Sequence, residues 1–129
     1  MNMKSLLPIY VLSKLFNLQV VANKSLSLIE CFFATVIETR NFMELNYAFV
    51  AKILASSELY ITSEIEVYKA GDAWLRHKIH DRKEYAKRLL LKVRLSLLTN
   101  DALKYISKKH SSFTISKDCF ALINEVLLF

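Results

Sequence analysis

Apolar residues recur along this chain at three- and four-residue intervals, the spacing of one helix face, and short polar clusters interrupt them. Ser5 precedes Pro8, and proline belongs in a first helical turn, so a helix is predicted from about Leu7 to Phe16, ending near Asn17. A second, from about Gln19 to Thr35, keeps Val21, Leu28, Ile29, Phe32 and Val36 on one stripe. The pattern restarts around Asn41, with Leu45, Phe49, Ile53 and Leu54 marking a third helix. Leu59-Tyr60-Ile61 then reads as a short extended connection.

The second half opens on a capping box, Ser63-Glu64-Ile65-Glu66, in which Ser63 accepts from the N–H of Glu66 and the Glu66 carboxylate reaches back. The helix that follows places Val67, Ala70, Gly71 and Trp74 on one face. Asp81-Arg82-Lys83-Glu84 repeats the device before a helix with Ala86, Leu89, Leu90 and Val93 inward. Thr99 is positioned to cap a helix carrying Leu103 and Ile106. Ser116 does the same for a last one with Cys119, Leu122, Ile123 and Val126 buried. The expected architecture is a single all-α domain of about seven helices, packed as stacked antiparallel pairs over short connections.

Composition sharpens this reading. With one glycine and one proline in 129 residues, the turn-rich sandwiches and barrels are excluded. So are the glycine-dependent nucleotide and nucleophile-elbow motifs. The net charge of +6 is concentrated between Arg76 and Arg94, where Arg76, Lys78, Arg82, Lys83, Lys87, Arg88, Lys92 and Arg94 face only Asp81 and Glu84. The rest of the chain is balanced.

Chemistry-bearing residues are few. Cys31 and Cys119 form no disulfide framework, and the place of Cys119 on an apolar stripe predicts a buried thiol rather than a nucleophile. His77 and His80, beside Asp81, could meet a metal on one helical turn, but no third ligand follows at a useful spacing. Glu64/Glu66 and Asp81/Glu84 are accounted for by capping and the helix dipole. No enzyme, no metal and no cofactor are therefore expected. Lys4 with the apolar run from Ser5 to Leu12 has a faint signal-peptide look, yet Lys14 interrupts it and Val20-Val21-Ala22-Asn23 is a poor cleavage site. With no apolar run approaching ~18 residues, no membrane span is expected, and an intracellular, cytoplasmic protein, with the nucleus also open to it, fits best.

The order of these features resembles the BACK domain of BTB–kelch proteins. Phe33-Ala34-Thr35-Val36 matches the family's Phe-x-x-Val step, and Phe42-Met43-Glu44-Leu45 its Phe-x-x-Leu. The paired leucines and polar segment that follow stand here as Ile53-Leu54-Ala55-Ser56-Ser57-Glu58-Leu59-Tyr60-Ile61. Ser63-Glu64-Ile65-Glu66-Val67-Tyr68-Lys69-Ala70, then Trp74-Leu75-Arg76-His77, is the most specific stretch. Val93-Arg94-Leu95-Ser96-Leu97-Leu98 follows, with Ser96 where proline is usual, and Cys119 falls on a cysteine common in the closing helix. The pattern can be laid from about Ser5 to Val126 without a gap, so residues 1–129 are expected to form one BACK-type helical domain with a first helix pair at about 6–36.

The resemblance implies a scaffold within a substrate adaptor of a cullin 3 ubiquitin ligase. In such proteins a BTB domain dimerises and binds the cullin, a kelch propeller holds the protein substrate, and BACK joins the two. Its first helix pair extends the groove that receives the cullin's N-terminal arm. On that basis Ile9, Leu12 and Phe16 are the cullin-side candidates, although Lys14 reverses a family charge and Phe16 replaces a polar ring there. Neither BTB nor kelch is expected within this chain, since one glycine cannot supply propeller blades. Actin association occurs among kelch-containing relatives, and no residue here argues for it. The alternative reading is a stand-alone basic module that binds an acidic protein surface or nucleic acid through Arg82, Lys83, Lys87, Arg88 and Lys92. Only Tyr85 interleaves aromatically with these charges, so base stacking is poorly supported.

Overall fold

The computed structural model describes residues 3–108, 112–113 and 116–127. The described residues are all-α, built of packed helix pairs without a strand. They fall into two compact units, Met1–Ile61 and Thr62–Phe129.

In the first unit, α1 (Met3–Leu15) packs on α2 (Gln19–Cys31), followed by α3 (Phe33–Val36), α4 (Arg40–Met43) and α5 (Tyr47–Leu54). Pro8 lies in the middle of α1 rather than in its first turn, because the helix begins at Met3. Proline removes the N–H that would bond four residues back. The freed Lys4 carbonyl instead accepts from Asn41 Nδ2 at 2.7 Å, which ties α1 to α4. The helix ends where expected. Asn17 adopts a left-handed φ of 55°. The Leu18 and Asn17 N–H groups then close on the Ser13 and Lys14 carbonyls at 2.8 and 3.4 Å, satisfying carbonyls the helix leaves open.

The second helix departs from the expected stripe. Ala22, Ser25 and Ile29 are its buried positions, whereas Val21 and Phe32 are exposed. Small residues let α2 approach α1 closely, and the Ser25 hydroxyl is satisfied by the Val21 carbonyl at 2.6 Å. Helix α2 also stops at Cys31, short of Thr35. The expected third helix is two, α4 and α5, capped by Thr39 and Asn46 through the N–H groups of Phe42 and Phe49, both at 3.2 Å. Leu59-Tyr60-Ile61 is non-helical, and the Tyr60 N–H donates to the Glu30 carbonyl at 2.9 Å.

The second unit comprises α6 (Ile65–His77), α7 (Ile79–Arg82), α8 (Ala86–Leu90), α9 (Asn100–Lys108) and α10 (Lys117–Leu127), with 3-10 turns at Lys83–Tyr85 and Leu95–Leu97. The inward sets expected for α6, α8 and α9 are all buried. On α10, Cys119 and Ile123 are buried, while Leu122 and Val126 are half-buried. The start of α6 is shifted from the capping box: Ser63 Oγ accepts from the Ile65 N–H at 3.3 Å, and Glu66 Oε2 from the Thr62 N–H at 2.9 Å. Asp81 does not cap α8, because it lies within α7 and a 3-10 turn intervenes. Thr99 and Ser116 cap as expected, accepting from Ala102 at 3.1 Å and Cys119 at 3.5 Å.

Three charged residues hold this unit together from inside. The buried Glu64 carboxylate accepts the Arg94 N–H at 3.0 Å and lies 3.8 Å from its guanidinium, which fixes the turn at 94–98 to the start of α6. Asp72, also buried, pairs with Arg76 and accepts the Ser112 N–H at 2.7 Å. Arg82 donates from Nη1 to the Trp74 carbonyl at 2.7 Å, with its guanidinium 4.0 Å from the Trp74 ring centroid.

Candidate functional site

The first unit carries an open groove of about 430 Å³ between α1 and the α4–α5 corner. Leu7, Pro8, Val11 and Leu12 form one wall, and Leu45 and Phe49 the other. Asn41, Glu44 and Asn46 add the polar groups. Its shape follows from local chemistry: the Asn41 bond to the carbonyl freed by Pro8 holds the walls in register, and Asn46, spent as the α5 cap, turns the chain at one edge. Tyr10, which does not line the groove, is buried and meets Phe49 edge-on, with ring centroids 5.8 Å apart. Burial, with a smaller push from the Glu30 carboxylate, raises the Tyr10 hydroxyl above its ordinary pKa, so it stays protonated at neutral pH.

Of the three cullin-side candidates, Leu12 is 52% exposed and lines this groove. Ile9 is half-buried and lies outside the lining, and Phe16, 70% exposed, sits past the end of α1. Around Phe16 the surface remains apolar, with Leu15, Leu18 and Val20 also exposed. The family resemblance pointed to Leu12 on one wall, and Asn41, Glu44 and Phe49 were not among the candidates. Phe49 stood on the apolar stripe of the expected third helix, with Asn41 and Glu44 near its start, but neither signal reveals that this segment folds back on α1.

The basic candidates separate. Lys83, Lys87, Arg88 and Lys92 are exposed. Arg82 is not part of that face: only 7% exposed, it caps the C-terminus of α6 by bonding one of its last carbonyls, where positive charge is favoured. His77 and His80 do not share a helical turn either, because Lys78, at φ −141° and ψ 61°, breaks the chain between α6 and α7. Among the described residues, no group of three or more His, Cys, Asp or Glu could hold a metal ion. Cys119 is buried, and burial pushes its thiol above the ordinary range, which keeps it from acting as a nucleophile. Among the described residues, no helix is long and apolar enough to cross a membrane.

Residues 6–108 match the model of the family described as "BACK: BTB And C-terminal Kelch". The chain belongs to the BACK family. Kelch repeat and BTB domain-containing protein 3 of Homo sapiens is 25% identical over 126 residues, covering 98% of this chain and 21% of that protein. Kelch-like protein 17 of Homo sapiens is 35% identical over 97 residues, 75% of this chain and 15% of its own length. Kelch-like protein 28 of Mus musculus is 30% identical over 98 residues, 74% and 17% respectively. This BACK chain thus spans about a fifth of the curated relatives it matches, or less. Its paired family motifs are spatially joined: Glu64 of the Ser-Glu stretch holds Arg94 of the Val-Arg-Leu stretch.

Proposed function

We propose that this BACK chain is the rigid helical connector of a substrate adaptor for a cullin 3 ubiquitin ligase. Residues 1–129 then serve as one module between a BTB domain, which dimerises and binds the cullin, and a kelch propeller that holds a protein substrate. The observation that carries the reading is the groove along α1, in a chain whose family places its first helix pair beside the cullin's N-terminal arm. Leu12, at the groove and half exposed, is the residue assigned to cullin contact, with Ile9 and Phe16 flanking it along α1. The mechanism is geometric. Long-range ties such as Asn41 to Lys4 and Glu64 to Arg94 hold each unit together, as a connector between substrate and ligase requires. The protein then works in the cytoplasm or nucleus, where cullin ligases assemble.

The test is precipitation of the native protein from cells with an antibody raised against this segment, followed by blots for its size and for cullin 3. A band several times larger than this segment, with cullin 3 co-precipitating, is the expected result. Absence of cullin 3 from the precipitate overturns the adaptor reading.

A further inference from the structure

We propose that the exposed basic face of the second unit is a separate docking surface for an acidic protein segment bearing an apolar anchor. The cations between Arg76 and Arg94 sort into two groups. Arg76, Arg82 and Arg94 are used by the fold, against Asp72, Trp74 and Glu64. Lys78, Lys83, Lys87, Arg88 and Lys92 are exposed. Among the described residues, no ion pair joins Lys83, Lys87 or Lys92 to a carboxylate. The acids of the stretch, Asp81 and Glu84, are both exposed and lie toward its N-terminal end, leaving Lys87 to Lys92 uniformly positive. Charge complementarity therefore asks for a negatively charged partner.

Leu91 decides which negative partner fits. It is 62% exposed, and its N–H bonds the Lys87 carbonyl at 3.1 Å, which places the two side chains one helical turn apart on the same face. Arg88 and Lys92 flank it in sequence. A leucine framed by cations gains nothing from a phosphate backbone, but it buries readily against an aliphatic or aromatic side chain of a peptide. Nucleic acid would instead call for an accessible stacking ring. Tyr85, the aromatic of this stretch, is half-buried, with its ring 6.4 Å from that of Trp74 and 5.9 Å from the Arg88 guanidinium. The surface suits an acidic peptide.

Fluorescence anisotropy on the native protein at about 150 mM salt tests this, where exposed charges are screened beyond ~8 Å. Three labelled probes are compared: an acidic peptide of about 15 residues with two leucines, its leucine-to-serine counterpart, and a single-stranded DNA of equal charge. The leucine peptide is expected to bind about tenfold more tightly than either control. The double variant Lys87→Glu/Lys92→Glu should lose that binding, and Leu91→Ser should erase the preference while leaving weak attraction. Both substitutions lie at exposed positions, and unchanged Trp74 fluorescence verifies the fold; Lys87→Gln/Lys92→Gln serves if the charge reversal perturbs it. Equal binding of all probes, tighter binding of DNA, no binding of the leucine peptide, or binding that survives charge reversal each overturns the proposal.

Discussion

Replacing Arg82 by methionine keeps an unbranched apolar stem and removes the guanidinium. In the native fold that group donates at 2.7 Å to the Trp74 carbonyl and stacks 4.0 Å from the Trp74 ring. A hydrogen bond from a charged donor is worth ~1.5–3 kcal/mol, and the variant leaves a helix-terminal carbonyl without that donor. The cation–π contact adds about 1–2 kcal/mol when desolvated. Against these, methionine no longer requires a buried charge to be desolvated, which returns part of the loss. The net expectation is a loss of about 2–3 kcal/mol, or roughly 6–10 °C in melting temperature for a chain of this size. Trp74 is the one tryptophan of the chain, so urea unfolding followed by its fluorescence reports on this unit directly. Lys83→Met, one residue along and exposed, is the control and should change stability by no more than ~0.5 kcal/mol. A loss below about 0.5 kcal/mol for Arg82→Met would refute the assignment of Arg82 to the α6 cap and return it to the solvated face.

Four further outcomes follow from the same geometry. Asn41→Ala should cost ~1 kcal/mol by circular dichroism in urea. That cost should shrink in a Pro8→Ala background, where residue 8 regains the N–H that Lys4 needs; additivity of the two changes would show that they are not coupled. Glu64→Ala should cost about 2–3 kcal/mol by leaving the Arg94 N–H unpaired, whereas Glu64→Gln keeps an acceptor and should recover most of it; equal losses for the two would remove the carboxylate's role as acceptor. One equivalent of a thiol reagent, at exposed Cys31, should react in the native state, and a second, at Cys119, only in denaturant. Because folding raises the pKa values of both Cys119 and Tyr10, the stability they contribute is complete below their unfolded values and is lost as pH rises through the folded ones. Unfolding free energy should therefore decline above about pH 9, and a flat profile to pH 11 would contradict the burial of both groups.

Helical class and most inward faces were legible because long apolar side chains at helical spacing have few other places to go. The regular stripes of α6, α8 and α9 are the clearest instances. The misreadings share one cause, since the partner in each lies far off in sequence or beyond the helical period. Ala22 and Ser25 are buried because α1 approaches them, while the larger Val21 points outward. Pro8 is tolerated inside α1 because Asn41, 33 positions later, takes over a carbonyl. Arg82 looked like a surface charge because a local reading does not show the α6 carbonyl and indole ring that enclose it. The groove was half legible for the same reason. Leu12 was named through the family resemblance, whereas Asn41, Glu44 and Phe49 join it only through the fold.

The central claim is that the α1 groove is the cullin-side surface of an adaptor, and one comparison tests it most directly. The native protein and its Leu12→Asp variant would be precipitated at matched levels and the cullin 3 retained by each quantified. Leu12 is exposed, so the substitution should leave the fold intact while placing a charge on the apolar groove wall. The account predicts cullin 3 with the native protein and a loss of about tenfold with the variant. Equal retention by the two proteins, or no cullin 3 with either, would contradict it.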